Sequence, residues 1–175
     1  MIDKRVASLR DSVGDIPHGA SVMIGGFGSS GIPLGLIEAL RQQGAGDLTI
    51  ISNNAGVGEE GIASLLRDGL VKKIVCSFPR SAGSIWFEKR FEEGAVELEL
   101  VPQGTLSERI RIAGAGIGGF LTPPGYGTKL AEGKETRVID GKGYVLEMPL
   151  NADFALIKAE AADPWGNLIY DTAGR

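Results

Sequence analysis

One cysteine and one histidine are all that these 175 residues offer of either type. A lone Cys76 excludes an internal disulfide and fits a reducing compartment. With His18 the sole imidazole, a thiolate or imidazole metal site lacks ligands, and no metal is expected. Positive charge is not in excess: 18 Lys and Arg stand against 22 Asp and Glu, a net −4, which gives no footprint for nucleic acid. No apolar run approaches membrane-spanning length, and Met1-Ile2-Asp3-Lys4-Arg5 is too polar for a secretory leader. These absences point to a cytoplasmic protein with neither nucleic acid nor membrane as partner.

What is present is ordinary except for glycine. Hydrophobic content of 43% and charged content of 23% suit a globular chain, and the length fits one domain over 1–175 with a real core. The 27 glycines are about twice the usual share. They lie between apolar runs, which suggests tight turns or close backbone approaches rather than low complexity.

The chain alternates between two periodicities. Residues 3–14 read as an amphipathic helix with Val6, Leu9 and Val13 on one face. Strands are expected at 20–25, 47–52, 71–77 and 96–101. Helices are expected at 33–44, 59–69, 84–94 and 105–116, several of them ended by glycine. The order β-α-β-α-β-α-β-α predicts an α/β fold: a mostly parallel, Rossmann-like sheet with helices on both faces. Beyond residue 116 a long Gly- and Pro-rich loop follows, a kind that is usually functional or mobile. Two strand-like runs around Gly141-Lys142-Gly143 then read as a C-terminal β-hairpin region. A further strand is expected at 153–159, and 163–170 reads as a turn into a strand.

The stretch VMIGGFGSSGIP, residues 22–33, carries the sharpest signal. Gly26-Phe27-Gly28-Ser29-Ser30-Gly31 fits the G-x-G-x-x-G pattern between a strand and a helix. A dinucleotide site also needs an acidic residue after the second strand. That strand instead ends Ser52-Asn53-Asn54-Ala55-Gly56, without the carboxylate that an NAD site needs. The glycines could simply permit a tight turn. Alternatively, bare N–H groups there could hold a phosphate or carboxylate.

Other residues carry paired readings. Asn53 and Asn54 stand where open α/β sheets place ligands, and equally suit a turn. Gln103, between Pro and Gly beyond a strand end, suits a polar ligand contact. Arg80 suits an anion, or plain solvation. Glu59 and Glu60 could supply a carboxylate, or favour a helix start. Cys76 on an apolar strand reads as packing; nothing in the sequence pairs it with His18.

HGASVMIGGFGSSGIP closely resembles the signature of the A (alpha) subunit of family I CoA-transferases, the 3-oxoacid CoA-transferases, through Gly25, Gly26, Phe27, Gly31 and Pro33. His18 departs from it, since the family usually has Asp or Asn there. The likeness continues through DLTIISNNAG, VCSFPR, VPQGTLSERIR, AGAGIGGF, PPGYGTKLAEGKETR, YVLEMPL and ADFALIKA. The wording is most similar to the succinyl-CoA:3-ketoadipate type, with the acetoacetate type next.

The resemblance implies a CoA-transferase fold and a covalent exchange. A glutamate carboxylate attacks the succinyl-CoA thioester, and an enzyme–CoA thioester then passes CoA to the acceptor acid. The family carries that glutamate in a Ser-Glu-Asn-Gly stretch of its B subunit. This sequence lacks that stretch, so the expected partner is a CoA-transferase B subunit in an A2B2 heterotetramer. By the same resemblance, Gly25, Gly26, Phe27, Gly28, Ser29, Ser30 and Gly31 bind the CoA thioester, which is a substrate. No tightly bound cofactor is expected. Gln103 matches a glutamine near the reacting acyl group, where amide donors stabilise an oxyanion. The resemblance also implies that the A subunits of this family usually run about fifty residues beyond the WGNLIY stretch, continuing with a basic, Asn-Phe-containing segment, a comparison resting on resemblance rather than periodicity. A truncated binding module and an NAD-dependent oxidoreductase therefore remain as alternative readings.

Overall fold

The apolar runs are short and bounded by glycine or charge, so each supports one strand. In the computed structural model, which describes residues 2–171, they form β1 (Ser21–Ile24), β2 (Leu48–Ile51), β3 (Val71–Cys76) and β4 (Glu97–Leu100). Between them lie α2 (Leu34–Gln43), α3 (Ile62–Arg67) and α4 (Ile85–Glu92), after a short α1 (Leu9–Val13). Two compact units result: 1–99 with 152–175, and 100–151.

The first unit holds a five-stranded sheet in the order β4-β3-β2-β1-β8, where β8 is Phe154–Leu156. β1 runs parallel to both β2 and β8, pairing Val22 with Ile50 on one side and with Phe154 on the other. The steps β1 to β2, β2 to β3 and β3 to β4 all move in one direction. Right-handed crossovers therefore place α2, α3 and α4 in one layer, where α2 touches α3 and α3 touches α4. Ile37 and Leu40 of α2, Leu65 of α3 and Phe87 of α4 are buried with Val22, Ile50 and Ile74. Each such burial is worth about 1.5–3 kcal/mol, so the layer secures the strand ends that carry the site. A small hairpin pairs β9 (Ala161–Ala162) with β10 (Leu168–Ile169).

Three helix starts differ by two residues or more from the sequence expectation. Residues 3–7 are not helical, because Ser8 caps α1 by accepting from the Asp11 N–H at 3.1 Å, while Lys4 N donates to Pro164 O at 2.9 Å. Only Val13 of the expected face is buried; Val6 and Leu9 are exposed. Helix α3 begins after Gly61, whose φ of +59° lies outside helical backbone, so Glu59 and Glu60 precede the helix rather than open it. Helix α5 (Gln103–Ala115) starts earlier than expected, with extended Pro102 as its N-cap.

In the second unit, α5 leads to an antiparallel sheet of β5 (Phe120–Thr122), β6 (Thr136–Ile139) and β7 (Lys142–Glu147), ordered β5-β7-β6. Ile139 pairs with Lys142, so the hairpin turn is Asp140-Gly141, both at positive φ, as a type I′ turn demands. The Gly- and Pro-rich loop between β5 and β6 is tied down. Thr128 caps a 3₁₀ turn at Lys129–Ala131, and the Tyr126 ring covers Gly143. Glu147 is buried, with Lys134 Nζ at 2.6 Å and Arg109 Nε at 3.8 Å. The Arg109 Nε also donates to Met148 O at 2.8 Å, which fastens α5 to the end of β7.

Candidate functional site

The glycine stretch forms at the C-terminal edge of the parallel sheet. Gly25 N still donates to Leu156 O at 3.0 Å, so β8 holds the chain as it leaves β1. Gly26 then turns it outward at φ +119°. Phe27 and Ser30 exchange backbone hydrogen bonds of 2.9 and 3.0 Å, closing a two-residue hairpin over Gly28-Ser29. Gly31 and Pro33 return the chain into α2. The stretch is thus a protruding hairpin, exposed from Gly26 to Ser30, with Phe27, which flanks its Gly28-Ser29 tip, 68% exposed. Among the described residues the N–H groups of Gly28, Ser29 and Gly31 have no hydrogen-bond partner.

The neighbouring loops brace it. Asn54 is 6% exposed; its Nδ2 donates to Gly28 O at 3.3 Å and its Oδ1 accepts from Gly56 N at 2.8 Å. One side chain therefore couples the hairpin to the loop after β2. Ser52 Oγ donates to Ile24 O at 2.9 Å, joining the ends of β1 and β2. Asn53 O accepts from Phe78 N at 3.0 Å, and Asn53 Nδ2 donates to Ser77 Oγ at 3.2 Å. Asn53 and Asn54 are thereby brought beside the hairpin.

Arg80 is exposed on the loop after β3 and has no ion-pair partner among the described residues. Gln103 belongs to the second unit, as the exposed first residue of α5; it is a helix-start residue, not the loop glutamine expected. Two cavities flank the hairpin. One, of about 400 Å³, is polar and lined by Ser29, Ser30, Gly31, Lys158, Glu160 and Asp171. The other, of about 140 Å³, is lined by Gly28, Ile32, Val57 and Ile62 among others. Lys158 went unremarked in sequence because nothing local shows that β8 returns beside β1.

The competing sites dissolve. His18 Nδ1 accepts from Gly46 N at 3.0 Å, which places it before β1, at the sheet edge opposite the hairpin. Cys76 is fully buried as the last residue of β3. Burial pushes its thiol pKa up to about 12, with a Phe78 backbone hydrogen bond pulling slightly the other way. Glu59 accepts from Trp86 Nε1 at 3.0 Å and pairs with Arg67 at 3.4 Å. No cluster of metal-ligating side chains exists among the described residues. β2 leads into Ser52-Asn53-Asn54, with no carboxylate at that strand end to hold the adenosine ribose of a dinucleotide.

Comparison with known proteins agrees with this geometry. The family model described as Coenzyme A transferase matches residues 6–175. The chain is 59% identical over 175 residues to the A subunit of the 3-oxoadipate CoA-transferase of Pseudomonas putida, covering all of this chain and 76% of that protein. It is 45% identical over 172 residues to the A subunit of the probable succinyl-CoA:3-ketoacid coenzyme A transferase of Bacillus subtilis, covering 98% of this chain and 71% of that one. Among solved structures, an acyl-CoA transferase of Escherichia coli O157:H7 superposes with a TM-score of 0.80 at 25% identity, over 96% of this chain and 36% of that one. A parallel sheet with its glycine hairpin at the carboxyl edge, matched along its length to that family model, means that the chain belongs to the coenzyme A transferase family.

Proposed function

We propose that this chain is the A subunit of a CoA-transferase that moves CoA from succinyl-CoA to a 3-oxo acid, 3-oxoadipate foremost and acetoacetate second. The observation that carries the substrate class is the 59% identity to the corresponding subunit of a 3-oxoadipate CoA-transferase. The nucleophilic glutamate comes from a B subunit in an A2B2 assembly, and the two compact units of this chain serve as one CoA-transferase domain. The partner's carboxylate attacks the thioester carbonyl, giving a mixed anhydride and CoA thiolate. The thiolate attacks the glutamyl carbon of the anhydride, releasing succinate and leaving a glutamyl–CoA thioester. The acceptor carboxylate repeats the sequence in reverse, regenerating the glutamate.

In this reading the hairpin Gly25–Gly31 receives the CoA thioester, and its partnerless N–H groups support that role. Gln103 donates its amide to the developing oxyanion. Asn53, Asn54 and Arg80 contact the acid, Asn54 chiefly by holding the hairpin. Exposed Phe27 and Phe78, on loops at the sheet's carboxyl edge, support the assembly with a partner, since exposed aromatic surface of this kind marks interaction sites. No described helix is long and apolar enough to cross a membrane, consistent with a cytoplasmic enzyme. No bound cofactor is needed, because the chemistry is acyl transfer between carboxylates and a thiol. A coupled assay of the assembled enzyme against a panel of 3-oxo acids tests it. The highest kcat/KM should fall on 3-oxoadipate; preference for an acid without the 3-oxo group would overturn the substrate assignment.

A further inference from the structure

The glycine hairpin occupies only one wall of the polar cavity beside it. The opposite wall is the chain leaving β8. Because Ile24 pairs with Leu156 in parallel register, the residues after Leu156 run alongside the residues that form the hairpin. Lys158 lies two positions on and lines the same cavity of about 400 Å³ as Ser29, Ser30 and Gly31. The position is special in the topology. From β1 the chain crosses to β2 on one side, while β8 closes the other. The carboxyl edge between β1 and β8 is therefore the switch point where open α/β sheets form a ligand crevice.

The charges in the cavity are informative. Glu160 and Asp171 also line it, yet Lys158 forms no ion pair with any described residue. The ammonium thus shares this crevice with two serine hydroxyls and the N–H groups of Ser29 and Gly31, which have no partner among the described residues. That is a donor set for an oxyanion. The transfer reaction supplies such groups: succinyl and 3-oxoadipyl thioesters each keep one free carboxylate, and CoA carries phosphates.

We propose that Lys158, with Ser29, Ser30 and the hairpin N–H groups, forms an anion subsite that holds an oxyanion of the thioester substrate. This rests on the CoA-transferase reading of the site. The shared chemistry is an ammonium and hydroxyl cradle for a carboxylate or a phosphate, and two arms of one experiment separate these sources.

Lys158→Gln and Lys158→Arg are prepared in the assembled enzyme, with thermal unfolding confirming that this exposed position leaves the fold intact. Steady-state KM values are measured for succinyl-CoA, 3-oxoadipate and acetoacetate, and equilibrium binding is measured for CoA and for succinate. The Gln variant should weaken its anion about tenfold or more, as losing a charged hydrogen bond does, and Arg should restore most of it. If the anion is the free carboxylate, the penalty falls on 3-oxoadipate, succinate and succinyl-CoA and spares acetoacetate and CoA. If it is a phosphate, the penalty falls on CoA and succinyl-CoA alike and spares both acceptor acids and succinate. Values within twofold of the parent for every compound overturn the proposal. Absence of CoA transfer by the parent enzyme would sink the functional reading instead. The equilibrium titrations would then still decide the subsite, a loss of CoA or succinate binding in the Gln variant supporting it and unchanged binding overturning it.

Discussion

Gly26→Ala is the perturbation whose outcome the hairpin geometry defines most closely. Gly26 sits at φ +119°, and a Cβ there would stand 2.7 Å from Ile32 Cγ1, 3.0 Å from Ser30 O and 3.1 Å from Ile32 N. The backbone strain costs about 1–3 kcal/mol. The collision adds about 1–3 kcal/mol, since two of the three atoms are backbone and cannot swing away. Against this, the hairpin is held by the Phe27–Ser30 pair and by Asn54 on Gly28 O, three hydrogen bonds worth about 1 kcal/mol each. The midpoint of this combined cost exceeds the roughly 3 kcal/mol that holds the hairpin, and the segment is exposed, so the hairpin should open while the core stays folded. Gly28→Ala is the control. Its φ is +60° with open space where a Cβ would go, so the cost is about 1–2 kcal/mol and the hairpin should persist. In the assembled enzyme, Gly26→Ala should raise KM for succinyl-CoA by about tenfold or more, equivalent to ~1.4 kcal/mol, with little change in Tm. Amide exchange at Phe27 and Ser30 should accelerate in that variant alone. A native KM in Gly26→Ala with the hairpin demonstrably open would refute the assignment of the hairpin to CoA-ester binding.

Three other residues carry expected outcomes. Gln103→Ala in the assembled enzyme should lower kcat by roughly 10²–10³-fold, whereas a loss confined to KM would mean substrate positioning instead. Cys76 is fully buried and its thiol pKa is pushed up to about 12, so iodoacetamide should label the folded chain far more slowly than the unfolded one, in which about a quarter of a free thiol is thiolate at pH 8. Because the folded pKa is raised, the stability this thiol contributes is present in full below about pH 8.5 and is lost as pH rises toward about 12. A Cys76→Ser comparison of Tm across pH 7–10 checks that sign. Glu147→Gln should cost about 2 kcal/mol in denaturant unfolding. That is less than the ~3–5 kcal/mol of a fully buried pair, because Lys134 keeps 35% of its side-chain surface in water.

The parallel sheet was readable because its strands and helices alternate with clean glycine stops, as at Gly44, which ends α2 at φ +84°. The hairpin's location was readable too, since strand, glycines and helix follow one another without a gap. Its shape was not. G-x-G-x-x-G suggested a turn folded onto a helix N-terminus, whereas Phe27 and Ser30 pair with each other and project the loop outward. Nor could local pattern reveal that Asn54 would brace that loop, since the contact to Gly28 spans 26 residues of sequence. The partner of β8 was hidden for the same reason: Phe154 meets Val22 across the whole chain, and with it comes Lys158. Helix starts failed where a single backbone torsion decided them, at Gly61 and Pro102. The last four residues, 172–175, where the resemblance expects the chain to lead into a basic segment, lie outside the described residues.

The claim that this chain supplies half of a CoA-transferase site is tested most directly by mixing. The purified chain is assayed for CoA exchange between succinate and 3-oxoadipate, alone and after addition of the partner that carries the Ser-Glu-Asn-Gly stretch. Borohydride reduction or hydroxylamine trapping is then used to locate the acyl-enzyme carboxylate. The account predicts no turnover from the chain alone, turnover on mixing, and the trapped glutamate on the added partner. Exchange by the purified chain itself, abolished by Glu59→Gln or Glu60→Gln, would contradict it.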